Sequence, residues 1–112
     1  MIKGIYAVWI YVNNLEESRT FYEGVLGLKS KSKEGEWVEF DTGNSTFALL
    51  KSKEHVKPQK TRIMFRVDNI AKAKNKLKAE GVKIIQVKKE SYGTLLTFED
   101  PNGHWLELFE PV

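Results

Sequence analysis

The chain has 112 residues, no cysteine, two histidines and a formal charge of +3. That length fits one domain burying about two-thirds of the surface of its unfolded chain, and 41% hydrophobic residues with three Trp, four Tyr and six Phe supply a core. The absence of cysteine excludes disulfide scaffolds, zinc ribbons, iron–sulfur sites and thiol nucleophiles, and two histidines oblige any metal site to lean on carboxylates. The start of the chain, Met1-Ile2-Lys3-Gly4-Ile5, carries no basic stretch followed by an apolar run, so no signal peptide is expected. No stretch approaches the ~20 apolar residues of a membrane span. A soluble, cytoplasmic domain is the expectation.

The first patterned segment, Tyr6 to Val12, alternates strictly: Val8, Ile10 and Val12 on one face, Ala7, Trp9 and Tyr11 on the other. Asn13 and Asn14 offer an N-cap. Glu16 and Glu17 follow where the helix dipole favours anions, and Leu15, Ser18, Phe21-Tyr22 and Val25-Leu26 recur at helical spacing until Gly24 and Gly27 end the run. Strands are predicted at 28–33, 37–41 and 46–50, parted by turns at Glu34-Gly35-Glu36 and Thr42-Gly43-Asn44. The second half repeats this order. A strand at 62–67 is followed by Asp68 as the expected N-cap and by a helix with its stripe on Ile70, Ala73 and Leu77, stopping at Gly81. Strands follow at 83–87, 94–99 and 105–110, the last two joined through Asp100-Pro101-Asn102-Gly103.

Val12-Asn13-Asn14-Leu15 matches Val67-Asp68-Asn69-Ile70, and Asp41-Thr42-Gly43-Asn44 matches Asp100-Pro101-Asn102-Gly103. The chain is thus a duplication of a roughly 50-residue unit. The expected organisation is a single α+β domain, 1–112, of two tandem βαβββ units at about 4–51 and 61–110, with a polar linker at about 52–60. Each unit is a mixed sheet with a helix on one face, and the two curled sheets are expected to enclose a cavity.

The positive charge consists of 15 Lys and only Arg19, Arg62 and Arg66, with Glu interleaved among the lysines. Nucleic-acid sites favour Arg for bidentate contacts, so a solvated Lys/Glu surface is expected and no nucleic-acid or membrane partner.

The run from Val12 through Glu16, Arg19 and Phe21-Tyr22 to Leu26-Gly27-Leu28, and the ending Phe98-Glu99-Asp100-Pro101-Asn102-Gly103-His104-Trp105-Leu106-Glu107-Leu108, resemble the two unit signatures of the glyoxalase/bleomycin resistance/dioxygenase (vicinal oxygen chelate) superfamily. The resemblance covers nearly the whole chain. It implies the fold above and four metal-ligand positions, usually His, Glu or Gln, His and Glu. These fall on Ala7, about Ala48, Arg62 and Glu107. Only Glu107 keeps a donor, His55 lies in the linker and His104 beside the turn, so no metal, cofactor or catalytic residue is expected.

The second faces of the strands carry the candidate ligand-binding set: Trp9, Tyr11, Trp37, Arg62, Met64, Trp105, Glu107 and Phe109, with Glu39 and Arg66 beside them. Flat aromatic walls with a few polar groups suit small molecules, although each such ring also serves as ordinary packing. Arg62 and Glu107 are expected to pair, since an unpaired buried charge is costly; that pair would also grip a ligand carboxylate. The expectation is a metal-independent binding protein, resembling the bleomycin resistance branch, for a planar or anionic small molecule, assembled as a homodimer. The competing expectation is a superfamily enzyme, lactoylglutathione lyase-like or dioxygenase-like, either metal-dependent or with Glu107 as a metal-free general base. A third is a regulatory module whose sheets make only a dimer interface.

Overall fold

In the computed structural model, residues 1, 3, 5–59 and 63–112 are described, and they divide into two compact units, Met1–Val56 and Lys57–Val112. Unit 1 runs β1 (Ala7–Val12), α1 (Leu15–Thr20) with a π turn (Phe21–Val25), β2 (Lys29–Glu34), β3 (Trp37–Asp41) and β4 (Thr46–Lys51). Unit 2 runs β5 (Met64–Arg66), α2 (Ile70–Ala79), β6 (Ile84–Glu90), β7 (Gly93–Glu99) and β8 (Trp105–Pro111). Each unit holds a four-stranded mixed sheet, ordered β1-β4-β3-β2 and β5-β8-β7-β6. The pairs β1/β4 and β5/β8 are parallel and the others antiparallel. The sheets are curled and open rather than closed into barrels.

Alternation in the strands divides each sheet into two faces. In unit 1, Ile10, Val12, Val38, Phe40, Phe47 and Leu49 point to the helix side and are buried there with Leu15, Ser18, Phe21 and Tyr22. The Tyr22 ring lies 5.1 Å from that of Phe47 and 6.1 Å from that of Phe40, centroid to centroid, so the helix is held by an aromatic cluster. In unit 2 the corresponding core is Leu77 against Leu96, Phe98, Leu106 and Leu108. Burial of each of these large side chains contributes about 1.5–3 kcal/mol.

Four local expectations are corrected. The helix expected to run on through Leu26 is α-helical only to Thr20, and its last turn widens into a π turn that contains Gly24 rather than ending there. Arg19 Nε donates to Glu23 Oε1 at 2.9 Å across that transition, which holds the guanidinium above its ordinary value. The cap of α2 is Asn69, not Asp68: its side chain accepts from the Lys72 N–H at 2.9 Å, just as Asn14 accepts from Glu17. Within the segment expected as a polar linker, residues 52–59 are more tightly bound than that reading implies. Val56 is buried and donates its N–H to the Asn13 side chain at 2.7 Å, while Gln59 donates to His104 Nδ1 and accepts from the Trp105 N–H. His104, 1% exposed, is therefore a buried structural acceptor. The strand expected at 62–67 is observed at 64–66; Arg62 lies outside the described residues.

Candidate functional site

The faces turned away from the helices carry the candidate residues. In unit 1 the register sets three rows across β1, β4 and β3: Ala7, Thr46 and Asp41; Trp9, Ala48 and Glu39; Tyr11, Leu50 and Trp37. β1 and β3 flank β4 and stand ~10 Å apart, yet the rings of Trp9 and Trp37 approach to 5.9 Å between centroids, inclined by 62°. They meet because the row of Trp9 holds only the methyl of Ala48 between the flanking strands. Tyr11 stands edge-on to Trp9 at 5.0 Å and 85°. Trp9 and Tyr11 remain 41% and 44% exposed, well above what core packing leaves.

A single carboxylate is fixed at the edge of this cluster. Trp37 Nε1 donates to Glu39 Oε2 at 2.9 Å and Ser32 Oγ donates to Glu39 Oε1 at 3.2 Å. Ser32 reaches Glu39 because β2 bulges between Ser30 and Ser32, which shifts the alternation of the strand. The same bulge lets Lys31 donate to Thr46 Oγ1 at 2.9 Å. The run Lys29-Ser30-Lys31-Ser32-Lys33 gives no sign of a bulge, so Ser32 and Lys31 escape sequence reasoning.

In unit 2, Met64 stands opposite Glu107 and next to Arg66 on the corresponding face, and it is 53% exposed. Glu107 is 5% exposed and accepts from Thr97 Oγ1 at 3.4 Å. Trp105 Nε1 donates to Glu99 at 3.2 Å, and Lys83 lies 3.8 Å from that carboxylate. Phe109 packs against Tyr92 and over Gly93, where a Cβ would stand 2.6 Å from the phenyl ring; φ of +154° at Gly93 reinforces the need for glycine. Of the eight expected residues, Trp9, Tyr11 and Trp37 are thus in ring contact in unit 1. Met64 and Glu107 are register neighbours in unit 2, Trp105 and Phe109 are engaged by local partners, and Arg62 is outside the described residues.

The family model of the Glyoxalase/Bleomycin resistance protein/Dioxygenase superfamily matches residues 4–108. The chain belongs to this superfamily. An integron cassette protein from the mobile metagenome of the Halifax Harbour sewage outfall is 30% identical, with a TM-score of 0.82 over 97% of this chain and 99% of that one. Lactoylglutathione lyase from Agrobacterium tumefaciens (20% identity, TM-score 0.81, 97% and 94% coverage) and the fosfomycin resistance protein FosX from Listeria monocytogenes (16%, 0.85, 100% and 94%) share the fold. No curated protein matches the chain at a significant level.

The superfamily's metal positions test poorly against these residues. Ala7 and Ala48 end in methyl groups, and Ala48 is fully buried, so neither has an atom to donate. Glu107 is a competent oxygen donor, but one carboxylate does not make the multi-donor shell a divalent ion requires. Among the described residues, no group of three or more His, Asp or Glu side chains is placed to hold a metal, and no helix among them is long and apolar enough to cross a membrane.

Proposed function

We propose that this superfamily member is a metal-independent binding protein for a small organic molecule, and that the open aromatic face of unit 1 receives it. The observation that carries this reading is the exposed cluster of Trp9, Tyr11 and Trp37 beside the anchored Glu39. Exposed rings with one fixed polar group favour a ligand that is largely apolar, with a flat one stacking on a single exposed ring. Assembly as a homodimer is proposed with it, supported by the exposed apolar side chains of Ile5, Tyr6 and Val8 at the start of unit 1; sedimentation as a monomer at tens of micromolar would overturn that assembly.

The test is titration of tryptophan fluorescence with a panel of planar neutral, anionic and cationic compounds, alongside metal analysis of the purified protein and a hemithioacetal isomerase assay. Saturable quenching that Trp9→Ala removes, with substoichiometric metal, is the expected result. No quenching by any compound at high micromolar concentration, or stoichiometric Ni, Zn, Mn or Fe with isomerase turnover, would overturn it in favour of an enzyme like the lyase.

A further inference from the structure

Resting on that binding reading, we propose that Trp9, Tyr11, Trp37 and Glu39 form a recognition corner for a compact organic cation, a quaternary ammonium group. Ring orientation is the first observation. Trp9 is inclined by 85° to Tyr11 and by 62° to Trp37, so neither contact sets two rings parallel to sandwich a flat molecule. Steeply inclined planes bound a corner instead. Their centroids lie 5.0 and 5.9 Å apart, so a roughly spherical cation seated there falls within the ~6 Å reach of more than one ring quadrupole.

Charge is the second observation. Glu39 is hydrogen-bonded to one of these rings, and both of its oxygens are tethered, by Trp37 Nε1 and by Ser32 Oγ. A carboxylate held at the N–H edge of an indole also enriches the ring's π density, which strengthens its hold on a cation. A fully alkylated nitrogen has no N–H to donate, so it meets Glu39 through charge alone and leaves those two hydrogen bonds intact. The half-buried side chain of Leu50, in the row of Tyr11 and Trp37, adds an apolar surface that matches the alkyl groups of such a ligand. Of the lysines of β2, Lys31 is drawn to Thr46 and Lys29 stands opposite Asp41, both at the row beyond Ala48 and away from Tyr11 and Trp37.

The experiment follows the indole N–H resonances of the full chain by NMR while choline, or its neutral isostere 3,3-dimethylbutan-1-ol, is added. Choline is expected to shift the Trp9 and Trp37 signals saturably, and the alcohol to bind about tenfold more weakly. Glu39→Gln is expected to weaken choline about three- to tenfold while leaving the alcohol unchanged, and Trp9→Ala to abolish both responses while the Trp105 signal and backbone spectrum stay in place. Equal affinity for choline and the alcohol, or no effect of Glu39→Gln, would overturn the proposal. Shifts produced only by planar neutral or anionic compounds would overturn the cation and leave the binding reading standing. Silence with every compound would overturn both.

Discussion

At position 48 the side chain ends at Cβ, buried between Trp9 and Glu39 in the register of the first sheet, and this lets indoles on two flanking strands come into contact. At the matching position of the second sheet stands Glu107, buried between Met64 and Thr97. The same place in the duplicated frame thus carries a methyl in one unit and a carboxylate in the other. Thr97 Oγ1 donates to Glu107 at 3.4 Å, and pairing with Arg62 would offset the cost of burying its charge. Glu107→Gln is therefore expected to cost about 3 kcal/mol in chemical denaturation, and the loss to shrink by more than about 0.5 kcal/mol in an Arg62→Met background. Additivity of the two substitutions would show that the guanidinium is not the partner. Sequence reasoning found Glu107 because alternation and the final hairpin fix the face of its strand. Alternation also puts Glu39 on its face, but the row it shares with Trp9 and Ala48 depends on a pairing register that one strand alone does not show.

Among the elements, those marked by alternation or by a hydrophobic stripe were legible, and those that depend on one extra residue were not. The bulge of β2 falls between Ser30 and Ser32, and that of β6 between Ile84 and Gln86, at matching places in the two units, yet neither segment carries a Gly or Pro to announce it. The π turn hides for the same reason, since an extra residue in the last turn leaves Phe21 and Tyr22 buried and the stripe outwardly intact. The misplaced cap of α2 is of another kind: Asp68 and Asn69 both suit an N-cap, and composition does not choose between neighbours. The duplication does, since Asn69 matches Asn14, and both side chains accept from the amide three residues on. Asn69→Ala is expected to cost about 1 kcal/mol and Asp68→Ala no more than about 0.5 kcal/mol. Thermal unfolding of the two variants side by side checks this, and the reverse order would return the cap to Asp68.

Across the whole chain, the repeat was the most informative thing the sequence carried, because it aligns not only strands but the rows within each sheet. Ala7, Trp9, Ala48 and Glu39 in unit 1 take the places of Arg62, Met64, Glu107 and Thr97 in unit 2. Side-chain contacts could not be read the same way, because whether rings meet or a carboxylate is tethered depends on bulges and on the size of a neighbour. The alignment nonetheless ties the proposed metal independence to named positions. If Ala7, Ala48 and Arg62 stand at the positions where the superfamily usually carries its ligands, the wild-type chain lacks the donors for a divalent ion. It is then expected to purify with well under one equivalent of Zn, Ni, Mn or Fe, and its melting temperature is expected to be the same with and without a chelator. A stoichiometric ion in metal analysis, or a loss of thermal stability on chelation that added metal reverses, would mean that the ligands stand elsewhere in the chain.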